Sequence, residues 1–155
     1  MEAAEQDFAE LLKLFNKHGV HYCIVGAFAV AVYALPRYTK DLDIFVEPSM
    51  GNGERICRAL RDFGFGSLSI EPKDFAQKDR FIQLGYEPLR VDLMTSIDGV
   101  TFDQVWRHKK VERFGSEKTY FIGLGELIKN KKASGRKQDR VDLETLRKVK
   151  KGKRA

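Results

Sequence analysis

Asp41-Leu42-Asp43-Ile44-Phe45-Val46 alternates acid with aliphatic bulk, and alternate residues of a strand point to the same side. Asp41 and Asp43 therefore share one face, while Leu42, Ile44 and Val46 take the other. One short strand can bury its apolar side and hold two anionic oxygen donors together at its start. A hard divalent cation is held by donors of this kind.

Upstream, Tyr22-Cys23-Ile24-Val25-Gly26-Ala27-Phe28 is an apolar run broken by a glycine, which reads as a buried strand turning into a helix. Glycine there allows positive φ or a close approach of backbone to a ligand, and the N–H groups opening the next helix can bind an anion. Phosphate beside metal is the chemistry implied. Downstream, Leu89-Arg90-Val91-Asp92-Leu93-Met94 places one acid inside an otherwise apolar strand, where acids are rarely left unpaired. If this strand lies beside the first, three carboxylates converge, enough for the two-metal arrangement of phosphoryl and nucleotidyl transfer. The structural alternative for Asp92 is an ion pair with Arg37 or Arg90.

Val25-Gly26-Ala27, then Pro36-Arg37-Tyr38-Thr39-Lys40-Asp41-Leu42-Asp43, then Asp92, resembles the minimal nucleotidyltransferase superfamily, whose fold is similar to the catalytic core of DNA polymerase beta. The stretch Asn130 to Leu143, Asn-Lys-Lys-Ala-Ser-Gly-Arg-Lys-Gln-Asp-Arg-Val-Asp-Leu, is similar to the closing motif of a bacterial branch that includes toxin-like and antibiotic-modifying enzymes. The resemblance spans about Tyr22 to Leu146. It implies an α+β fold, a small mixed sheet flanked by helices with further helices at the C-terminus. It also implies transfer of a nucleoside monophosphate from a nucleoside triphosphate to a hydroxyl, with release of pyrophosphate.

In that reading Asp41, Asp43 and Asp92 are catalytic and hold Mg²⁺ or Mn²⁺. Gly26, Ala27, Arg37, Thr39, Lys131 and Arg136 face the nucleotide, which is ATP or another triphosphate. Most relatives carry glycine or serine where this chain has Ala27, so affinity for phosphate rests on backbone N–H groups and cations. The acceptor is a small molecule, an RNA or a partner protein, and relatives of this size in toxin–antitoxin pairs make a second copy or a cognate partner an expectation. Two other classes share the residues: a non-catalytic module binding nucleic acid or a partner, and a metal-dependent nuclease using water as attacker.

The chain has 155 residues and a net charge of +6, the size of one domain with a real core. From Lys129 onward 12 Lys and Arg stand against 3 Asp and Glu, so the basicity lies in the tail, where it can steer a polyanion or remain a solvated face. No run approaches the roughly 20 apolar residues of a membrane span, and the acidic Met1-Glu2-Ala3-Ala4-Glu5 start is unlike a secretory signal; the expectation is a cytoplasmic protein. Cys23 and Cys57 show no metal-type spacing and read as reduced structural thiols.

Periodicity predicts helices near 3–17, 26–34, 54–63, 102–106, 124–134 and 139–150, and strands near 21–25, 41–46, 80–84, 89–94, 111–114 and 119–122. Pro48 to Gly53 reads as turn-rich. Gly64-Phe65-Gly66-Ser67 reads as a helix end entering a loop. The boundary is set at one nucleotidyltransferase domain, 1–147, and a basic tail, 148–155. Asp139 reads as the N-cap of the last helix, with Asp142 one turn on and able to pair with Lys131 or Arg136. The closing motif is thus either a nucleotide contact or a structural clasp.

Overall fold

The computed structural model describes residues 3–34, 41–86 and 88–154. Helix α1 (Ala3–Lys17) carries Phe8, Leu11, Leu12 and Phe15 at helical spacing, and all four are buried. The chain then enters β1 (Tyr22–Val25), α2 (Gly26–Tyr33), β2 (Asp41–Val46) and α3 (Met50–Leu60). After a π-type turn at Arg61–Phe65 and a 3-10 turn at Pro72–Phe75 come β3 (Phe81–Leu84), β4 (Arg90–Met94) and α4 (Phe102–Arg107). The hairpin β5 (Lys110–Phe114) and β6 (Glu117–Phe121) leads into α5 (Leu124–Ser134) and α6 (Lys137–Arg154).

Six strands form one mixed sheet in the order β3-β4-β2-β1-β6-β5. β2 runs antiparallel to β1 and parallel to β4, and β1 is parallel to β6. The central strands are mostly apolar on both faces, as interior strands covered on two sides should be, except for Asp41 and Asp43 of β2 and Arg90 and Asp92 of β4. On one face α1 packs by setting the Phe15 ring edge-on to Tyr22 at 5.7 Å. On the other, Phe102 of α4 meets Phe45 edge-on at 5.1 Å. Leu42, Ile44 and Val46 are fully buried, as their alternation with Asp41 and Asp43 requires.

The expected start of α3 is corrected: the helix opens at Met50, inside the stretch read as turn-rich. Ser49 caps it by accepting the Asn52 amide at 3.1 Å. Buried Asn52 then accepts the His21 amide and donates to the carbonyls of His21 and Glu47. Gly53 is there for approach, because a Cβ at this position would strike the Pro72 carbonyl. The 3-10 turn at Pro72–Phe75 had no periodic signal to reveal it, yet its Phe75 is fully buried. Gly64 does break regular helix, with φ of 106°. Both cysteines are free, and burial pushes the Cys23 thiol up to about 12, far from reactivity at neutral pH. Among the described residues no helix is long and apolar enough to cross a membrane.

Candidate functional site

The parallel pairing of β2 with β4 sets Asp43 directly beside Asp92, and Asp41 beside Arg90. Antiparallel pairing on the opposite side sets Val25 against Asp43. β1 therefore ends at the acids, and the turn into α2 folds over them. Gly26 makes that turn with φ of +68°, and a Cβ on it would collide with the Asp43 carboxylate. Glycine is required here twice, for its dihedral and for its missing side chain. Val25, the N-cap of α2, provides no side-chain bond to the helix amides.

The three carboxylates crowd one another. Burial, then the charges of Asp92 and Asp41 and a hydrogen bond shared with Asp92, push Asp43 up to about 7, with Lys131 pulling the other way. Arg90 meets the same acids from the side. Its Nε donates to Asp92 Oδ1 at 3.1 Å and its second terminal nitrogen to Asp92 Oδ2 at 3.2 Å. Asp41 Oδ2 lies 3.8 Å from the same Nε.

The site thus has an excess of hard oxygen donors; burial and their repulsion favour the protonated form of Asp43, and a guanidinium meets Asp92 and Asp41. Among the described residues no three His, Cys, Asp or Glu are already gathered around one point as a metal cage. The donor set nevertheless fits Mg²⁺ or Mn²⁺, since a cation would relieve the repulsion that raises Asp43.

The acids open onto a cleft of about 600 Å³ lined also by Val25, Gly26, Arg90, Asn130, Lys131, Ser134 and Arg136. This is within the usual range of small-ligand sites. Of the residues singled out in the sequence, Asp41, Asp43, Asp92, Gly26, Lys131 and Arg136 are brought together here. Ala27 follows Gly26 in the first turn of α2 but is not among the cleft-lining residues. Arg37 and Thr39 lie outside the described residues.

The closing motif is tied as a clasp. Lys131, only 5% exposed, reaches Asp139 at 3.1 Å and Asp142 at 3.3 Å. Asp139 is the third residue of α6 and not its N-cap. Its carboxylate reaches back to the Arg136 amide, accepts from Ser134 Oγ at 2.7 Å and pairs with the Arg136 guanidinium at 2.8 Å. Burial alone would raise Asp139; the bonds from Arg136, Ser134 and Lys131 outweigh it and hold the carboxyl well below the usual range.

Sequence reasoning missed Phe81. It is 59% exposed and, opposite Met94 and two residues from Gln83, lies on the Asp92 face at the cleft. Only the register, and no local pattern, could have put it there.

No family model and no curated protein sequence matches the chain. Among solved structures, a protein of Thermotoga maritima named as a candidate nucleotidyltransferase superposes with a TM-score of 0.51 over 88% of this chain and 87% of its own, at 20% identity. That likeness is one of fold: a six-stranded mixed sheet flanked by helices in a nucleotidyltransferase-like arrangement.

Proposed function

We propose that the chain is a divalent-cation-dependent nucleotidyltransferase that moves a nucleoside monophosphate from a triphosphate to a hydroxyl acceptor. The observation that supports it most is the β2–β4 register, which aligns Asp43 with Asp92 beneath the Gly26 turn. Asp41, Asp43 and Asp92 would hold the cation, which supplies charge neutralisation at the triphosphate and acidifies the attacking oxygen. The first-turn amides of α2 hold phosphate oxygens. The acceptor oxygen bonds to the α-phosphorus, the bridging bond from that phosphorus to the β-phosphate oxygen breaks, and the acceptor's proton passes to the Asp92 carboxylate. Pyrophosphate leaves with the electron pair of the broken bond.

RNA is the acceptor that the charge distribution favours. Arg140, Arg147 and Lys151 recur along α6, where they line a groove of about 470 Å³ together with Leu143, Glu144 and Lys148. Such a stripe matches the repeating charge of a phosphodiester strand.

One observation favours a second reading. Arg90 neutralises Asp92 and lies near Asp41 as it would in a site that never takes metal, and the chain would then be a binding module on the same fold. Calorimetric titration of ATP, GTP, CTP and UTP with Mg²⁺ separates the two. Binding lost in an Asp41→Ala/Asp43→Ala double variant, and loss of labelled-nucleotide transfer in a folded Asp43→Asn protein, are the expected outcomes. A fully active Asp43→Asn protein sinks the transferase reading, and no triphosphate binding at millimolar concentration leaves the module.

A further inference from the structure

Among the described cations near the acids, Arg90 differs from the others in what holds it. Lys131 is almost wholly buried and tied to both Asp139 and Asp142. Arg136 is bonded to Asp139. Arg90 is bound to the acid cluster itself. It grips Asp92 through two nitrogens and approaches Asp41, so its guanidinium lies across two of the three carboxylates.

The strand explains why. Arg90 and Asp92 are two apart on β4 and share a face, and the parallel register sets Asp41 directly opposite Arg90. A third of the Arg90 side chain is exposed at the cleft, while Asp92 is almost fully covered. The guanidinium can therefore swing out into the cleft on a flexible stem while the acids stay where the sheet fixes them.

We propose that Arg90 is an internal counter-cation that competes with the divalent ion for Asp41 and Asp92 and so sets the metal concentration at which the site fills. The inference rests on the reading of Asp41, Asp43 and Asp92 as metal ligands. A bidentate guanidinium–carboxylate pair is among the stronger charged contacts a protein makes, and it must be given up before Asp92 can turn its oxygens to a metal. The cation-free site is thereby kept stable, and metal is admitted only against that cost. Arg90 is a positioning residue in this account and takes no part in bond making.

Mn²⁺ alone is the probe, followed by the loss of its free-ion paramagnetic signal, on the wild-type chain and on Arg90→Gln, Arg90→Lys and Asp43→Asn. Arg90→Gln removes a unit charge a few ångströms from the metal position, and should tighten Mn²⁺ by about tenfold or more. Arg90→Lys keeps the charge but not the two-pronged grip, and should fall between Gln and wild type. Thermal unfolding gives an independent reading: in chelator Arg90→Gln melts below wild type, and Mn²⁺ raises its midpoint by more than it raises that of wild type.

Should Arg90→Gln be too unstable to purify without metal, recovery of its fold on adding Mn²⁺ supports the same conclusion, and Arg90→Lys still yields the binding constant. Mn²⁺ affinity unchanged or weakened in both Arg90 variants, with Asp43→Asn abolishing binding, overturns the role of Arg90 and leaves the metal reading intact. Absence of Mn²⁺ binding in wild type and both Arg90 variants overturns the two together.

Discussion

Asp43 is pressed between the turn at Val25–Gly26 and the carboxylate of Asp92, and it meets that pressure by keeping its proton up to about pH 7. An ordinary aspartate in the unfolded chain gives its proton up near 3.8. The folded state therefore binds more protons than the unfolded state between about pH 4 and 7, and its stability must fall as pH rises through that window. Above it the cost stays constant. An Asp43→Asn variant carries no such cost, so in chelator it should gain on wild type from pH 5 to pH 8. The gain should reach about 1 kcal/mol, roughly half the linkage that the shift carries between pH 5 and pH 8, because Asp43 is not wholly buried and its neighbours relax. Denaturant midpoints at pH 5 and pH 8 measure it. Equal differences between the two proteins at both pH values would mean that the carboxylate ionises normally and the cluster is not strained. The same substitution that abolishes nucleotide transfer is thus expected to stabilise the fold, as removal of crowded like charge at a functional site should.

The α5–α6 hairpin is closed by charge placed inside it, because Lys131 lies between Asp139 and Asp142 with almost no access to water. Removing one partner of a buried ion pair leaves the other desolvated and uncompensated. Lys131→Met should destabilise the protein by about 3 kcal/mol, whereas Arg136→Ala, whose side chain is 79% exposed, should cost under about 1 kcal/mol. Chemical denaturation of the two variants at pH 7 tests the contrast, and equal costs would place the closing charge in solvent. The carboxyl of Asp139 is held low, so the clasp contributes fully above the usual carboxylate range and is lost only as pH falls below it. The bounds of α5 were legible because glycines flank the helix, whereas the spacing left Asp142 open to Lys131 or Arg136, and the packing of α5 on α6 pairs it with Lys131. The true place of Asp139 was not legible, because an acid at the third helical position reaching back resembles an N-cap until the backbone is traced. The start of α3 was hidden for a related reason. Gly51 and Gly53 read as turn residues, yet Gly53 is selected by the nearness of Pro72, a contact between segments far apart in sequence. In the same way Asp41 and Asp43 declared a shared face through their alternation. That Asp92 stands beside Asp43, and Arg90 beside Asp41, depends on a strand register that no local pattern states.

Across the whole molecule, charge and chemistry are segregated. The acids gather at one end of the central strands, at the mouth of the cleft that Lys131 and Arg136 close. α6 carries Arg140, Arg147 and Lys151 away from that cleft on one continuous helix that runs from Lys137 to Arg154 without a break at 147. On an α-helix of 3.6 residues per turn these three fall within about 40° of one another, so they form a stripe and not a scatter. Leu146 and Asp142, from the other side of the helix, are buried, which fixes the stripe outward. A strand of RNA lying along it would meet a cation at intervals of roughly 6 to 11 Å, given the 1.5 Å rise per residue. Binding would release counterions and weaken steeply with salt. An Arg140→Glu/Arg147→Glu variant removes two of these contacts without touching the cleft. Single-stranded RNA should bind it more weakly, with a plot of log affinity against log salt shallower by about 1.4, while triphosphate binding in Mg²⁺ stays at the wild-type level. Fluorescence anisotropy of a labelled oligonucleotide at several salt concentrations gives the slope directly. An unchanged slope with unchanged affinity would remove RNA from α6 and leave a hydroxyl on a small molecule or a protein as the acceptor. Loss of triphosphate binding along with RNA would instead place the stripe within the nucleotide site itself.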